Sequence, residues 1–197
     1  MKRFLLIGLI FALATFTSHA QIYQMFSQSF ETGTPMNYSV TGTNYSVQTS
    51  IVSGGQRALK MVHTQNSAVT LLLDTIDFST NASLNYFTLE FMHIAFVHAR
   101  RCTPPSEAMV VEVKRPDQTD WTRLNQSHYN RTEGGCLEFV SMSSFSQQSY
   151  PEWSSATAAD NTLWKQERFD LEQIFQGVAT TDKKLQIHFV CSPRNQA

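Results

Sequence analysis

The chain has 197 residues, of which 42% are hydrophobic, 12% aromatic and 16% charged, with a formal net charge of −1. That length suits one domain with a substantial core. A nearly neutral chain without a lysine and arginine cluster excludes the nucleic-acid-binding class, because phosphate recognition needs a basic face, and Ala99-Arg100-Arg101 is too short to supply one.

The first element is MKRFLLIGLIFALATFTSHA. Lys2 and Arg3 precede an apolar run from Phe4 to Phe16, and the small residues Ser18 and Ala20 stand at positions −3 and −1 before Gln21. This pattern predicts a secretory signal peptide over 1–20, with a retained N-terminal anchor as the alternative. The run is shorter than the roughly 20 residues of a membrane-spanning helix, and no later segment is long and apolar enough. The expectation is export to the cell surface, the periplasm or the medium, with residues 21–197 forming a single domain.

Short strand patterns follow, separated by polar turns. MFSQSF (Met25 to Phe30) leads into the turn ETGTP; NYSV and YSVQTSIV are broken at Thr41-Gly42-Thr43. RALKMVHT and AVTLLLDTI read as a hairpin pair, and NYFTLEFMHIAFVHA as the longest strand. AMVVEVK alternates Val111 and Val113 with Glu112 and Lys114, RPDQTD turns into WTRLN, and KLQIHFV alternates Leu185, Ile187 and Phe189 with Gln186 and His188. Period-two patterning with frequent turns predicts an antiparallel β-sandwich.

One stretch, WKQERFDLEQIFQG (Trp164 to Gly177), fits two structures. A helix would group Trp164, Leu171, Ile174 and Phe175 on one side. A strand would set Glu167, Phe169 and Leu171 against Gln166, Arg168 and Asp170. The first half has period two, so the expectation is a strand to Leu171, then one helical turn stopped by Gly177. Its carboxylates are expected on a solvated strand face or loop.

Four pieces occur in a recognisable order: FSQSFETGTP; LEFMHIAFVHA before AMVVEVKRPDQTDWTRL; SFSQQSYPEW; and WKQERFDL before KLQIHFV. This order resembles the jelly-roll β-sandwich domains of secreted and surface proteins of Bacteroidota. It is also similar to the wider MAM-like and concanavalin-A-like sandwiches. The resemblance implies that the SFE segment opens the sandwich and that the two late segments are strands. It also implies a closing strand with a GW.ID type motif, which the chain does not show after CSPRNQA; the jelly roll is therefore expected to lack its last strand. Nor does the chain show the C-terminal sorting domain of the type IX secretion route. By the same resemblance, Glu31 is a candidate ligand of a structural calcium, which takes about six to eight oxygens; the alternative is a turn carboxylate. No other cofactor is expected.

Cys102, Cys136 and Cys191 are an odd set without CxxC spacing. That disfavours zinc and leaves one thiol over in an oxidising compartment. Cys102 precedes the AMVVEVK strand, and the next strand runs back, so Cys102–Cys136 is the favoured disulfide. His93 shares a face with Phe91 and Val97 and is expected to be a hydrogen-bonded core residue. No GxSxG elbow marks a serine nucleophile. Trp153 and Tyr150, in SYPEW, are candidate platforms for stacking on sugar rings, against the alternative of packing; Trp121 is expected to pack. Asn37, Asn44, Asn81, Asn125 and Asn130 fit N-x-[ST], and Asp74-Thr75-Ile76 fits a short O-glycosylation motif.

The function expected from these features is a non-catalytic surface or secreted module for binding and adhesion, within a larger protein. Its partner is a glycan or a surface protein. The alternatives are a carbohydrate-binding module attached to a hydrolase and a sandwich-fold glycoside hydrolase. The last needs two carboxylates about 5–10 Å apart in a cleft. Glu90 and Glu112, expected on neighbouring strands, are the pair to inspect.

Overall fold

A computed structural model describes residues 28–33, 37–64, 67–80, 86–95, 107–129 and 143–193. The expected signal peptide, Cys102, Cys136 and the sequons at Asn81 and Asn130 lie outside these residues.

The chain is mostly β, and every paired strand is antiparallel. The largest sheet runs in the order β1 (Tyr38–Thr41), β4 (Val69–Leu73), β10 (Lys184–Pro193), β7 (Glu107–Lys114), β8 (Thr122–Arg123), with β5 (Ile76–Asp77) on the start of β10. β2 (Tyr45–Gln48) pairs with β3 (Ala58–Met61), and β6 (Thr88–His93) pairs with β9 (Lys165–Asp170).

Period-two patterning decides which side chains face inward. Val69, Leu71 and Leu73 on β4, Met109, Val111 and Val113 on β7, and Leu185, Ile187 and Phe189 on β10 are all buried. The β6–β9 pair lies across this core. Phe91 and Phe169 stack at 5.9 Å, and Phe91 meets Phe189 edge-on at 5.0 Å and Phe145 at 6.5 Å. Each such ring contributes about 1.5–3 kcal/mol by leaving water. Between the layers' ends a short helix, α1 (Pro151–Ser155), starts with Pro151 in its first turn, where the missing N–H leaves no bond unmade.

The ambiguous stretch is a strand followed by a turn. β9 ends at Asp170, a 3-10 turn covers Glu172–Phe175, and Gly177 stops it at φ 75°, a left-handed conformation that glycine adopts without strain.

Three sequence expectations change. β3 and β4 are not a hairpin. They share only the isolated Thr64–Ser67 bridge; β3 turns back on β2, and β4 sits between β1 and β10. In the described part of the segment expected to be the longest strand, Tyr86 to Ala95, β6 covers six residues, and β10 is the longest strand among the described residues. Gln28–Phe30, part of the expected opening strand, is irregular. Among the described residues no helix is long and apolar enough to cross a membrane.

Candidate functional site

Among the described residues, a buried carboxylate and an open groove gather polar side chains. Glu167 sits on β9 one pleat from Phe169, so it faces the core and is 0% exposed. Its Oε1 accepts from His93 Nε2 at 3.0 Å and from the Tyr150 hydroxyl at 2.5 Å; its Oε2 accepts from the Tyr129 hydroxyl at 2.5 Å. Each donor comes from a different segment. In the β6–β9 register Phe91 stands opposite Glu167, which puts His93 on the same face, one diagonal away. Tyr129 is brought in by its bridge to Phe169, and Tyr150 caps the start of α1.

The electrostatics follow from burial and bonding. Burial pushes the Glu167 carboxyl up. The hydrogen bond and charge of His93, with the bonds from Tyr129 and Tyr150, outweigh this and hold it below the ordinary glutamate value. Burial first, and then the neighbouring Glu167, push the Tyr150 phenol far up, so it stays a donor. A buried carboxylate taking three donors is a brace between segments, since its oxygens are occupied and closed to solvent.

Glu167 therefore does not lie on the solvated face expected of it. Its shared parity with Phe169 and Leu171 was the signal that it faces inward. His93 matches its expectation as a hydrogen-bonded core histidine, 6% exposed. Trp153 and Tyr150 are corrected as sugar platforms. Trp153 is 0% exposed, and its Nε1 donates to the Leu163 carbonyl at 2.6 Å; Tyr150 packs against it at 4.7 Å. Neither ring offers a face to a ligand.

Glu90 and Glu112 are not neighbours. Glu90 lies on the outer side of β6, 3.5 Å from Arg168. Glu112 lies on the outer side of β7, in another sheet, 3.4 Å from His188 and 3.9 Å from Arg123. Inward-facing Phe91, Val111 and Val113 stand between them, so the two carboxylates share no cleft. Trp121 packs against His188 at 4.7 Å, as expected of it, and Lys114 lies 4.9 Å over its ring.

Glu31 Oε1 accepts the backbone N–H groups of Gln56 and Arg57, at 2.7 and 3.0 Å. It closes the loop at Gly55, where φ is 75° and a Cβ would collide with the carboxylate. Among the described residues no three histidine, cysteine, aspartate or glutamate side chains converge as a metal set. Cys191 is buried on β10, where Met109 is its register partner.

The groove lies where β6 begins and the 3-10 turn after β9 ends. It encloses about 440 Å³. Phe87 and Phe175 lie at its base, both nearly buried and packed with Phe78 at ring distances of 4.8 to 5.5 Å, and Lys183 Nζ sits 5.2 Å over the Phe87 ring. Glu172, Gln173, Gln176 and Lys183 form its polar walls, and Tyr86 stands at its edge, 81% exposed. Sequence reading missed it because Tyr86 and the turn meet only through β6–β9 pairing.

No family model matches the chain, and no curated protein or solved structure matches it.

Proposed function

We propose that the chain is an exported, non-catalytic binding and adhesion module, a jelly-roll-type β-sandwich within a larger surface protein. The observation that carries this reading is the open groove beside Tyr86, with polar walls over a base of buried phenylalanines and a tyrosine ring held out to solvent. Such a combination suits ligand capture: the ring supplies contact area and the walls supply orientation. The second support is the use of Glu167. Among the described residues, the carboxylate gathered with a histidine and two tyrosines is locked in the core as a brace, out of reach of a substrate.

The test is an array of extracellular glycans and matrix proteins probed with the purified protein and with its Tyr86→Ala variant. Binding that the substitution abolishes is the expected result. An array on which the wild type binds nothing, or binds equally well without Tyr86, overturns the assignment of the groove.

A further inference from the structure

We infer that the groove beside Tyr86 is a subsite for a neutral pyranose sugar. This deepens the binding role proposed above and rests on it.

The first argument is the chemistry of the lining. Gln173 and Gln176 each carry a donor and an acceptor group, Glu172 only accepts, and Lys183 only donates. That set matches hydroxyl groups, which both donate and accept. The single negative and the single positive charge offset each other, so the groove favours no net charge in its ligand. The exposed Tyr86 ring adds a flat apolar face of the kind that the C–H side of a pyranose covers. A volume of about 440 Å³ is toward the small end for small-molecule sites.

The second argument is against an extended peptide as occupant. Strand addition needs an open row of backbone donors and acceptors. Here the Leu171 N–H already donates to the Phe87 carbonyl at 2.8 Å, so the backbone that joins the two walls is paired with itself at that point and offers no donor and acceptor pair there.

The third argument is rigidity. The 3-10 turn is pinned at its start by the Glu172 N–H bonding Asp170 Oδ1 at 2.8 Å, and at its middle by Arg115 Nη1 bonding the Ile174 carbonyl at 2.8 Å. Phe175 is locked between Phe78 and Phe87. The backbone of the turn wall is therefore held before a ligand arrives, which lowers the ordering cost of weak hydroxyl contacts there.

The test is a calorimetric titration of the purified protein with four neutral probes: cellotetraose, laminaritetraose, mannotetraose and tetra-N-acetylchitotetraose. At least one is expected to bind. Tyr86→Ala should weaken that binding by about tenfold, the scale of one aromatic stacking contact, while Tyr86→Trp retains it. Tyr45→Ser, on β2 away from the groove, should leave it unchanged. No binding to any of the probes, or binding indifferent to Tyr86→Ala, overturns the sugar assignment. Tyr86-dependent capture of a peptide library with no response to sugars also overturns it, and leaves the binding role standing. Tyr86-dependent sugar binding with release of shorter products, read by mass spectrometry, supports the sugar site and overturns the non-catalytic reading.

Discussion

Glu167 shows how one residue's burial decides its role. Removing it leaves His93, Tyr129 and Tyr150 facing an empty acceptor position in the core. Glu167→Ala should therefore cost about 3–5 kcal/mol, the range for breaking one side of a buried charged network. Tyr150→Phe removes one bond to a charged acceptor and should cost about 1.5–3 kcal/mol. Glu90→Gln, on an exposed pair with Arg168, should change stability by less than about 1 kcal/mol. Urea unfolding followed by tryptophan fluorescence measures all three. Equal effects at Glu167 and Glu90 would remove the brace. At this scale the sequence was legible only in part. The inward parity of Glu167 could be read beside Phe169. The convergence of Tyr129 and Tyr150 on it could not, since the donors are 38 and 17 residues away. Trp153 misled because a tryptophan among polar residues looks exposed until its N–H finds a carbonyl such as that of Leu163.

At the scale of elements, the turn after β9 carries Glu172, Gln173 and Gln176 of the groove's walls. Arg115 spans from the end of β7 to the Ile174 carbonyl and also grips Asp117 at 3.0 Å. Arg115→Ala should cost only about 1 kcal/mol globally, because one backbone acceptor returns to solvent. Its larger effect should be local: faster amide exchange at the bonded amides of Ile174, Gln176 and Val178 than in β10. Uniform acceleration across both would mean that Arg115 supports the whole fold and not this turn. The β9 strand and the turn after it were readable from the switch in period within fourteen residues. The partnership of β4 was not. Adjacent patterns favour a hairpin, yet Leu71 and Leu73 are buried fully only between β1 and β10, and that long-range packing overrides proximity.

For the whole molecule, the buried His128 and the half-buried His188 set the upper part of the response to acid. His128 and His188 are held below the ordinary histidine value, in both cases mainly by burial. Asp170 opposes the shift at His128; at His188 Glu112 opposes it and Lys114 adds to it. The unfolded chain takes up these protons near pH 6.5, whereas the folded chain takes them up only at lower pH. Stability should therefore fall as pH drops below about 6.5, by at most about 1.4 kcal/mol per pH unit for each histidine. Each contribution levels off once pH passes the folded value. A second decline belongs to the acids. Glu167 is held below 4.5, so its stabilising share is complete above that value and is lost as pH falls through its folded pKa. Asp77, held at about 2 chiefly by its bonds with Ser79, acts in the same direction, as an exposed and weaker contributor. Urea midpoints measured from pH 8 to pH 3 should thus descend in two stages. His188→Gln, which keeps a polar side chain beside Glu112, should shrink the upper stage to the share of His128 and leave the lower one. Glu167→Gln should do the reverse, from a lower starting stability. A single decline confined to pH below 4.5 in the wild type would mean that both histidines accept protons in the folded state as readily as in the unfolded one. Their burial would then not control the acid response.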